Sequence, residues 1–188
     1  ISIKVNYELW LPSDITLICE NKNGRYELDN FKGEAKLRTS NGRIVVDKAE
    51  AKLDLLTYNG RIVVNSLKGD LKADTYNGRV VISDSELRSI AAETKNGRVI
   101  AQFKPVDKIE GLMRTMNGRI VVAVPSDTSM TIFGRTMCGK IINKINKEIL
   151  KSNGRNIKTE VKLGEGESTL DAKTMHGNIN ILDYNDFD

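Results

Sequence analysis

The chain repeats the tripeptide Asn-Gly-Arg at nearly constant spacing, and this repeat restricts the fold more than any other feature. Six copies lie in phase: Asn23–Arg25, Asn41–Arg43, Asn59–Arg61, Asn77–Arg79, Asn96–Arg98 and Asn117–Arg119. Two degenerate copies, Cys138-Gly139-Lys140 and His176-Gly177-Asn178, complete glycine steps of 18, 18, 18, 19, 21, 21 and 38 residues. Self-similarity at such a period is typical of a repeat architecture. A further Asn-Gly-Arg at 153–155 lacks the flanking residues of the repeat and is out of phase with it.

The residues around each glycine alternate between apolar and polar, which predicts β-strands on both sides of the glycine. Apolar residues stand two and four positions after it in most copies, as at Ile44 and Val46. A threonine stands three positions before it in seven of the eight copies: Thr39, Thr57, Thr75, Thr94, Thr115, Thr136 and Thr174. We expect these hydroxyls to point inward and to satisfy backbone groups of the turn. We expect the glycine to adopt a positive φ and the preceding asparagine to tolerate the left-handed region.

Asn-Gly between apolar runs is also a strong signal for a β-hairpin, so a meander of antiparallel hairpins is the alternative fold. A β-solenoid is favoured because each period contains one Asn-Gly turn, and because the second corner differs, as at Lys32-Gly33-Glu34. Coils of 18 to 21 residues would then stack on their own copies about 4.8 Å apart. The predicted class is an all-β, single-domain, parallel β-helix (β-solenoid) with Asn-Gly turns.

The repeated Thr-x-Asn-Gly-Arg-Ile-x-Val unit resembles a bacterial family of adhesin-like β-strand repeats, the toastrack-like domains. The segment Leu11-Pro12-Ser13-Asp14, echoed by Val124-Pro125-Ser126-Asp127, and the segment Gly164-Glu165-Gly166 fit the same pattern. The resemblance implies a right-handed parallel β-helix that is associated with the cell envelope, as in proteins of the Gram-positive envelope stress response. It implies no catalytic residues, and fold alone does not give function.

The predicted organisation is one β-solenoid domain over residues 1–188. Residues 1–14 form an N-terminal cap strand in which Trp10 or Tyr7 covers the first coil, and residues 15–143 form stacked coils. Residues 144–165 are an excursion that contains a short helix. Residues 166–188 are the final coil and an acidic tail, in which Asp183, Asp186 and Asp188 protect the end of the stack from aggregation.

The composition argues against most catalytic chemistry. A single His and two Cys leave no set of metal ligands, so no metal and no cofactor are predicted. Cys19 and Cys138 belong to the first and seventh coils, too far apart for a disulfide. Asp74 and Glu93 adjoin in successive coils but lack the surroundings of an acid–base pair. The chain has no apolar run long enough to span a membrane and no visible signal peptide.

The residue after each glycine forms the first candidate site, a ladder that could bind anions. It consists of Arg25, Arg43, Arg61, Arg79, Arg98, Arg119 and Lys140. Like charges at strand spacing raise the local positive potential, which an anionic polymer such as teichoic acid or acidic glycan would relieve. The alternative is that the side chains splay into water or pair with Asp29 and Asp47. Nucleic acid is disfavoured because aromatic residues do not interleave with the basic column.

The residue three positions after each glycine forms the second candidate site, an outward-facing apolar stripe for a partner. It consists of Val45, Val63, Val81, Ile100, Val121 and Ile142. We expect this stripe to be covered, either by the 144–165 excursion or by a second copy in a homo-oligomer. Tyr58 and Tyr76 share a further outward column and could receive a sugar.

The sequence therefore predicts a non-catalytic, envelope-associated module for binding or sensing, in contact with an anionic envelope polymer or a protein partner. The first alternative is a scaffold that self-associates along the Val/Ile stripe, and the second is a polysaccharide-active β-helix enzyme. The predicted location is the cell envelope or another extracytoplasmic site, with a membrane-associated cytoplasmic location as the alternative.

Overall fold

A computed structural model describes residues 7–104, 108–125, 127–145, 147–151 and 156–186. In these residues the fold is all-β, as predicted, and all twelve strands belong to one sheet. The strands are β1 Ile15–Asn23, β2 Tyr26–Asp29, β3 Lys32–Asn41, β4 Ile44–Phe103, β5 Glu110–Asn117, β6 Ile120–Val124, β7 Met130–Cys138, β8 Lys140–Asn143, β9 Glu148–Lys151, β10 Ile157–Leu163, β11 Ser168–His176 and β12 Ile179–Asp183. A short 3-10 helix follows at Tyr184–Asp186.

Successive repeats pair in parallel, one period apart. β1 pairs with β3 so that Ile15 lies opposite Gly33, and β2 pairs with β4 so that Tyr26 lies opposite Ile44, both offsets being 18 residues. The 60-residue strand β4 continues the same winding, since Asn59 bonds to Asn41 and Asn77 bonds to Asn59, again 18 residues apart. The Asn-Gly steps therefore turn corners of a solenoid-like stack, and the alternative of antiparallel hairpins at these positions is wrong.

The inward columns of this stack form one continuous core. The apolar residues two and four positions after each glycine are fully buried from the second coil onward, as at Ile44, Val46, Ile62 and Val64. The threonine column is also buried, and from Thr57 onward its hydroxyls donate to glycine carbonyls of the preceding coil in the stack, as from Thr57 to Gly42 at 3.1 Å. This confirms the inward direction and the role predicted for the threonines.

The reason for glycine at the repeated corner differs from the prediction. Gly24 and Gly177 have a positive φ, whereas Gly42, Gly60 and Gly78 do not, and the ladder asparagines are not left-handed either. A Cβ at Gly60 would overlap the carbonyl oxygen of Gly42, and the same holds along the column. Glycine is needed here mainly because neighbouring backbones approach closely.

The left-handed residues lie instead at the second corner of each coil. Asn30, Lys48, Ser66 and Asp84 have φ between 49° and 52° and are spaced by 18 residues. Polar residues such as Asn and Asp adopt this conformation with the least strain. The regular recurrence of a positive φ fixes this corner at the same phase in four consecutive coils.

The coils do not stack in the order of the chain at the C-terminal end. β11 pairs in parallel with both β5 and β7, and β12 pairs with both β6 and β8. The last coil of the sequence is therefore inserted between the two coils that precede it. This corrects the prediction that residues 15–143 form an uninterrupted stack with the final coil at its end.

The segment that connects these coils closes the end of the stack. β9 runs antiparallel to β8, and β10 runs antiparallel to β7. The chain then crosses β7 at Gly164 and Gly166, which both have a positive φ. The amide of Gly166 donates to Ser129 Oγ at 2.9 Å and fixes this crossing. The predicted excursion thus forms two strands at the end of the sheet, and the predicted short helix is wrong for the described residues of 144–165.

Neither predicted terminal cap is present in the described residues. Tyr7 and Trp10 are 85% and 83% exposed, so their rings do not cover the first coil. The 3-10 helix folds back along the stack, where the Tyr184 hydroxyl donates to Asp84, so the acidic tail does not protect the end of the sheet. Residues 1–6, the tripeptide at 153–155 and Asp188 lie outside the described residues.

Candidate anion-binding edge

The repeated asparagines form a ladder of hydrogen bonds along one corner of the stack. In every pair the amide Nδ2 of one coil donates to the Oδ1 of the preceding coil at 2.8–2.9 Å. The ladder runs through Asn23, Asn41, Asn59, Asn77, Asn96 and Asn117. Each bond uses one of the two amide hydrogens, so each ladder amide retains a second N–H that can face solvent or a ligand. Sequence reasoning missed this ladder, although the fixed phase of the asparagines carried the signal.

A row of arginines runs beside the asparagine ladder, two residues further along each coil. All are exposed except Arg79, which is half-buried. Arg25 forms an ion pair with Glu27. Across the described ranges Arg43, Arg61, Arg79, Arg98 and Arg119 have no carboxylate within 4.0 Å. Of the alternative, the pairing with Asp29 or Asp47 is absent from the described residues, since Asp47 lies near Lys48 and Asp29 accepts from Asn30, whereas the exposed side chains do extend into water.

Some cations elsewhere on the stack pair with carboxylates of the adjacent coil. Lys32 pairs with Glu50 at 3.0 Å, and Arg88 pairs with Asp70 at 3.0 Å, both across an offset of 18 residues. Opposite charges on neighbouring strands are the expected arrangement of a solvated sheet face. The arginine row is therefore a local excess of positive charge.

The inserted coil interrupts the predicted cation ladder. Asn178 lies between Arg119 and Lys140, and its Oδ1 accepts from the Lys140 amide at 3.0 Å. The continuous row therefore ends at Arg119, and Lys140 does not follow it directly. Five uncompensated arginines on adjacent strands span about 19 Å at the usual strand spacing.

The predicted partner stripe is half-buried and is likewise interrupted. Val45, Val63, Val81, Ile100 and Val121 lie on consecutive coils, and Asn180 then separates Val121 from Ile142. The described residues of the 144–165 segment do not cover the stripe. Instead, Ile149 of β9 pairs with Ile142 and lengthens the stripe beyond the interruption, where its side chain is 60% exposed.

Tyr58 and Tyr76 stack on each other and do not form a two-ring platform. Their ring centroids are 5.5 Å apart with an interplanar angle of 15°, so the facing surfaces of the rings are occupied. The ammonium of Lys95 lies 4.5 Å from the centroid of Tyr76. The arrangement is a cross-strand ladder with a cation–π contact.

A shallow depression of about 530 Å³ lies beside these rings and includes Asp74, Glu93 and Arg114. Burial raises the pKa of Asp74; Lys72 opposes this shift, and Glu93 and Asp54 add to it. The structure thus brings together the two carboxylates that the sequence placed in successive coils.

The inserted coil brings the only histidine of the sequence beside a cysteine. His176 lies in register with Asn117 on one side and with Cys138 on the other. Cys138 is exposed and free, whereas Cys19 is half-buried and free at the other end of the stack. Among the described residues no group of three or more His, Cys, Asp and Glu side chains is suited to hold a metal ion.

Comparison of the chain with protein-family models, curated proteins and solved structures finds no match. In the described part of the chain no helix has the length and the apolar character that a membrane span requires.

Proposed function

We propose that the chain is a non-catalytic, envelope-associated module that binds an anionic polymer along its asparagine–arginine edge. The uncompensated arginine row carries this proposal, since five of its consecutive members have no ion pair among the described residues, whereas Lys32 and Arg88 are paired with carboxylates of the adjacent coil. The toastrack-like repeat and a right-handed parallel β-helix belong to the same proposal. The parallel pairing at offsets of one period supports them.

The edge offers hydrogen-bond donors at regular spacing. Each guanidinium can bind a carboxylate or phosphate in a bidentate manner, and the second N–H of each neighbouring asparagine adds a donor. A linear polymer with a negative charge on every short repeat, such as teichoic acid or acidic glycan, can bridge several strands at once. Simultaneous contacts give avidity although each exposed ion pair is weak.

The proposal is tested by retention of the protein on immobilised wall teichoic acid and on polygalacturonate. The variant Arg61→Gln/Arg79→Gln removes two adjacent members of the row. We expect retention to fall at low salt, and the salt dependence of the remaining binding to become shallower because fewer contacts are made.

The matched control is Lys32→Gln/Lys68→Gln, which changes the net charge equally but removes cations that pair with Glu50 and Glu86. Equal loss of retention in the two double variants would show that net charge alone attracts the polymer. Retention of neither polymer by the wild-type chain would contradict the proposed function.

A self-associating scaffold is the second candidate, because the described residues of the 144–165 segment leave the Val/Ile stripe uncovered. Light scattering coupled to size exclusion tests it with Val63→Lys/Val81→Lys. A wild-type oligomer that this variant converts to a monomer of unchanged fold supports the scaffold. Turnover of acidic glycans that is lost in Asp74→Asn would instead support the polysaccharide-active enzyme.

A further inference from the structure

Cys138 and His176 occupy the same column of the stack on adjacent parallel strands. The amide of Gly177 donates to the Cys138 carbonyl at 2.9 Å, which fixes the register of the two strands next to both side chains. The 38 residues that separate them in sequence gave no indication of this proximity. It exists only because the last coil is inserted between the two coils before it.

Side chains in this column reach their neighbours on the next strand. The six asparagines that precede His176 in the column bond to one another at 2.8–2.9 Å. His176 and Cys138 continue the same column at strand spacing, about 4.8 Å. Within the described ranges neither the thiol nor the ring is engaged in a side-chain hydrogen bond or ion pair, so each is available to the other.

The asparagine ladder also ends in an acceptor that faces the histidine strand. Every ladder amide points its nitrogen toward the N-terminal end of the stack, so the Oδ1 of Asn117 is the acceptor end of the ladder. His176 lies next in register. An imidazole N–H that donates to this oxygen leaves the other ring nitrogen to accept the proton of Cys138.

Several cations lie on the strands around this column. Arg119 precedes the inserted coil at the corner, and Lys140 follows Cys138 by two residues. Lys151 of β9 lies opposite Lys140. Arg135 lies in register with Lys173, which is paired with Asp171. The positive charge of Lys140 and Lys151 attracts anionic reagents.

We propose that Cys138 and His176 form a thiol–imidazole pair that makes Cys138 a site of reversible mixed-disulfide formation with small disulfides. His176 accepts the thiol proton, and the Cys138 sulfur attacks one sulfur of the disulfide RS–SR. The Cys138–SR bond forms as the RS–SR bond breaks, and the leaving thiolate RS⁻ takes the proton from the imidazolium. Electrons and protons balance without another reactant.

The experiment uses the full chain with Cys19→Ser, which leaves Cys138 as the single thiol. Dithiodipyridine, an uncharged aromatic disulfide, releases a chromophore on exchange, and intact mass spectrometry locates the adduct. At pH 7 we expect native protein to react at least about tenfold faster than the same chain unfolded in urea, because the unfolded chain lacks the general base.

The variant His176→Asn is the matched test, since it introduces the residue that the column uses in six other copies. We expect it to fold, to lose the rate advantage over unfolded protein, and to lose one inflection of the pH–rate profile. His176→Gln repeats the test if His176→Asn does not fold. A native rate no faster than that of unfolded protein, or a rate and profile unchanged by replacement of His176, would overturn the proposal.

Discussion

The two ends of the stack finish their strands in different ways. At the N-terminal end β1 and β2 pair on one side only within the described residues, and Ile18 of β1 is 70% exposed. At the other end the antiparallel strands β9 and β10 cover β8 and β7, and β10 presents alternating charged residues to solvent. A parallel coil can extend the first edge, whereas a charged antiparallel strand blocks such extension.

The regular coils and the inserted coil also differ, in what determines their position in the stack. Nearly every coil offers the same columns of threonine, glycine and apolar residues to its neighbour, so the repeat specifies how coils pack but not their order. The order is set by the strands that connect them. The antiparallel strand β10 and the crossing at Gly164 and Gly166 return the chain to the gap between β5 and β7.

Deletion of each coil in turn tests whether the inserted coil contributes more to the stability of the stack than the first coil does. Removal of residues 166–188 takes Leu170, Ile179 and Ile181 out of the core, each fully buried and each worth about 1.5–3 kcal/mol of burial. It also separates β5 from β7. We expect residues 110–163 to lose protection from hydrogen exchange. Removal of residues 1–30 only shifts the open edge by one coil, so equal loss of protection in the two deletions would contradict the distinction.

The glycine column tests the difference between the interior of the stack and its open end. A Cβ at Gly78 would overlap the carbonyl of Gly60, whereas a Cβ at Gly24 would lie 3.0 Å from the flexible side chain of Asn21. We expect Gly78→Ala to lower the free energy of unfolding by about 3 kcal/mol or more. Gly24→Ala carries a cost of about 1 kcal/mol from its positive φ. Urea denaturation measures both, and equal losses would argue against close backbone approach as the cause.

Two threonines of the inward column are expected to differ in their contribution to stability, by less than the two glycines do. The buried hydroxyl of Thr57 donates to the Gly42 carbonyl at 3.1 Å, whereas the buried hydroxyl of Thr39 has no partner among the described residues. We expect Thr57→Val to destabilise by about 1 kcal/mol, and Thr39→Val to be neutral or stabilising because it removes an unpaired polar atom. Thermal unfolding of the two variants measures the difference, and a greater loss in Thr39→Val would contradict it.

The local features of a coil could be read from the sequence, because they recur at every period. The spacing of the glycines and the alternation of apolar residues predicted the parallel stack, the buried columns and the inward threonines. The reason for glycine was mistaken, since the close approach of Gly60 to Gly42 depends on the neighbouring coil. Contacts within one tripeptide could not reveal it.

The order of the coils could not be read from the sequence, because Cys138 and His176 carry the same column signature as the copies before them. Nothing in the motif distinguishes a neighbour in sequence from an inserted neighbour. The interruptions of the arginine row at Asn178 and of the apolar stripe at Asn180 follow from that insertion. Both are long-range consequences of β10.

The smallest expected effect concerns two aspartates, one in the regular coils and one in the inserted coil. Burial raises the pKa of Asp74 above its ordinary value of 3.8. A raised pKa in the folded state means that the contribution of this group is present below the unfolded value and is lost as the pH rises through the folded value. We therefore expect Asp74→Asn to raise the melting temperature at pH 7, with an advantage that shrinks as the pH falls toward 3.8.

Asp171 of the inserted coil is the matched control, since it forms a half-buried ion pair with Lys173 at 2.7 Å. Its replacement by asparagine removes an attraction of a few tenths of a kcal/mol, so Asp171→Asn should lower the melting temperature slightly at pH 7. Melting temperatures that change in opposite directions in the two variants would show that burial of the Asp74 carboxylate beside Glu93 costs stability. The packing of the regular coils would then be what keeps this carboxylate from water. A lower melting temperature for both variants at pH 7 would instead mean that the attraction of Lys72 to Asp74 outweighs its burial.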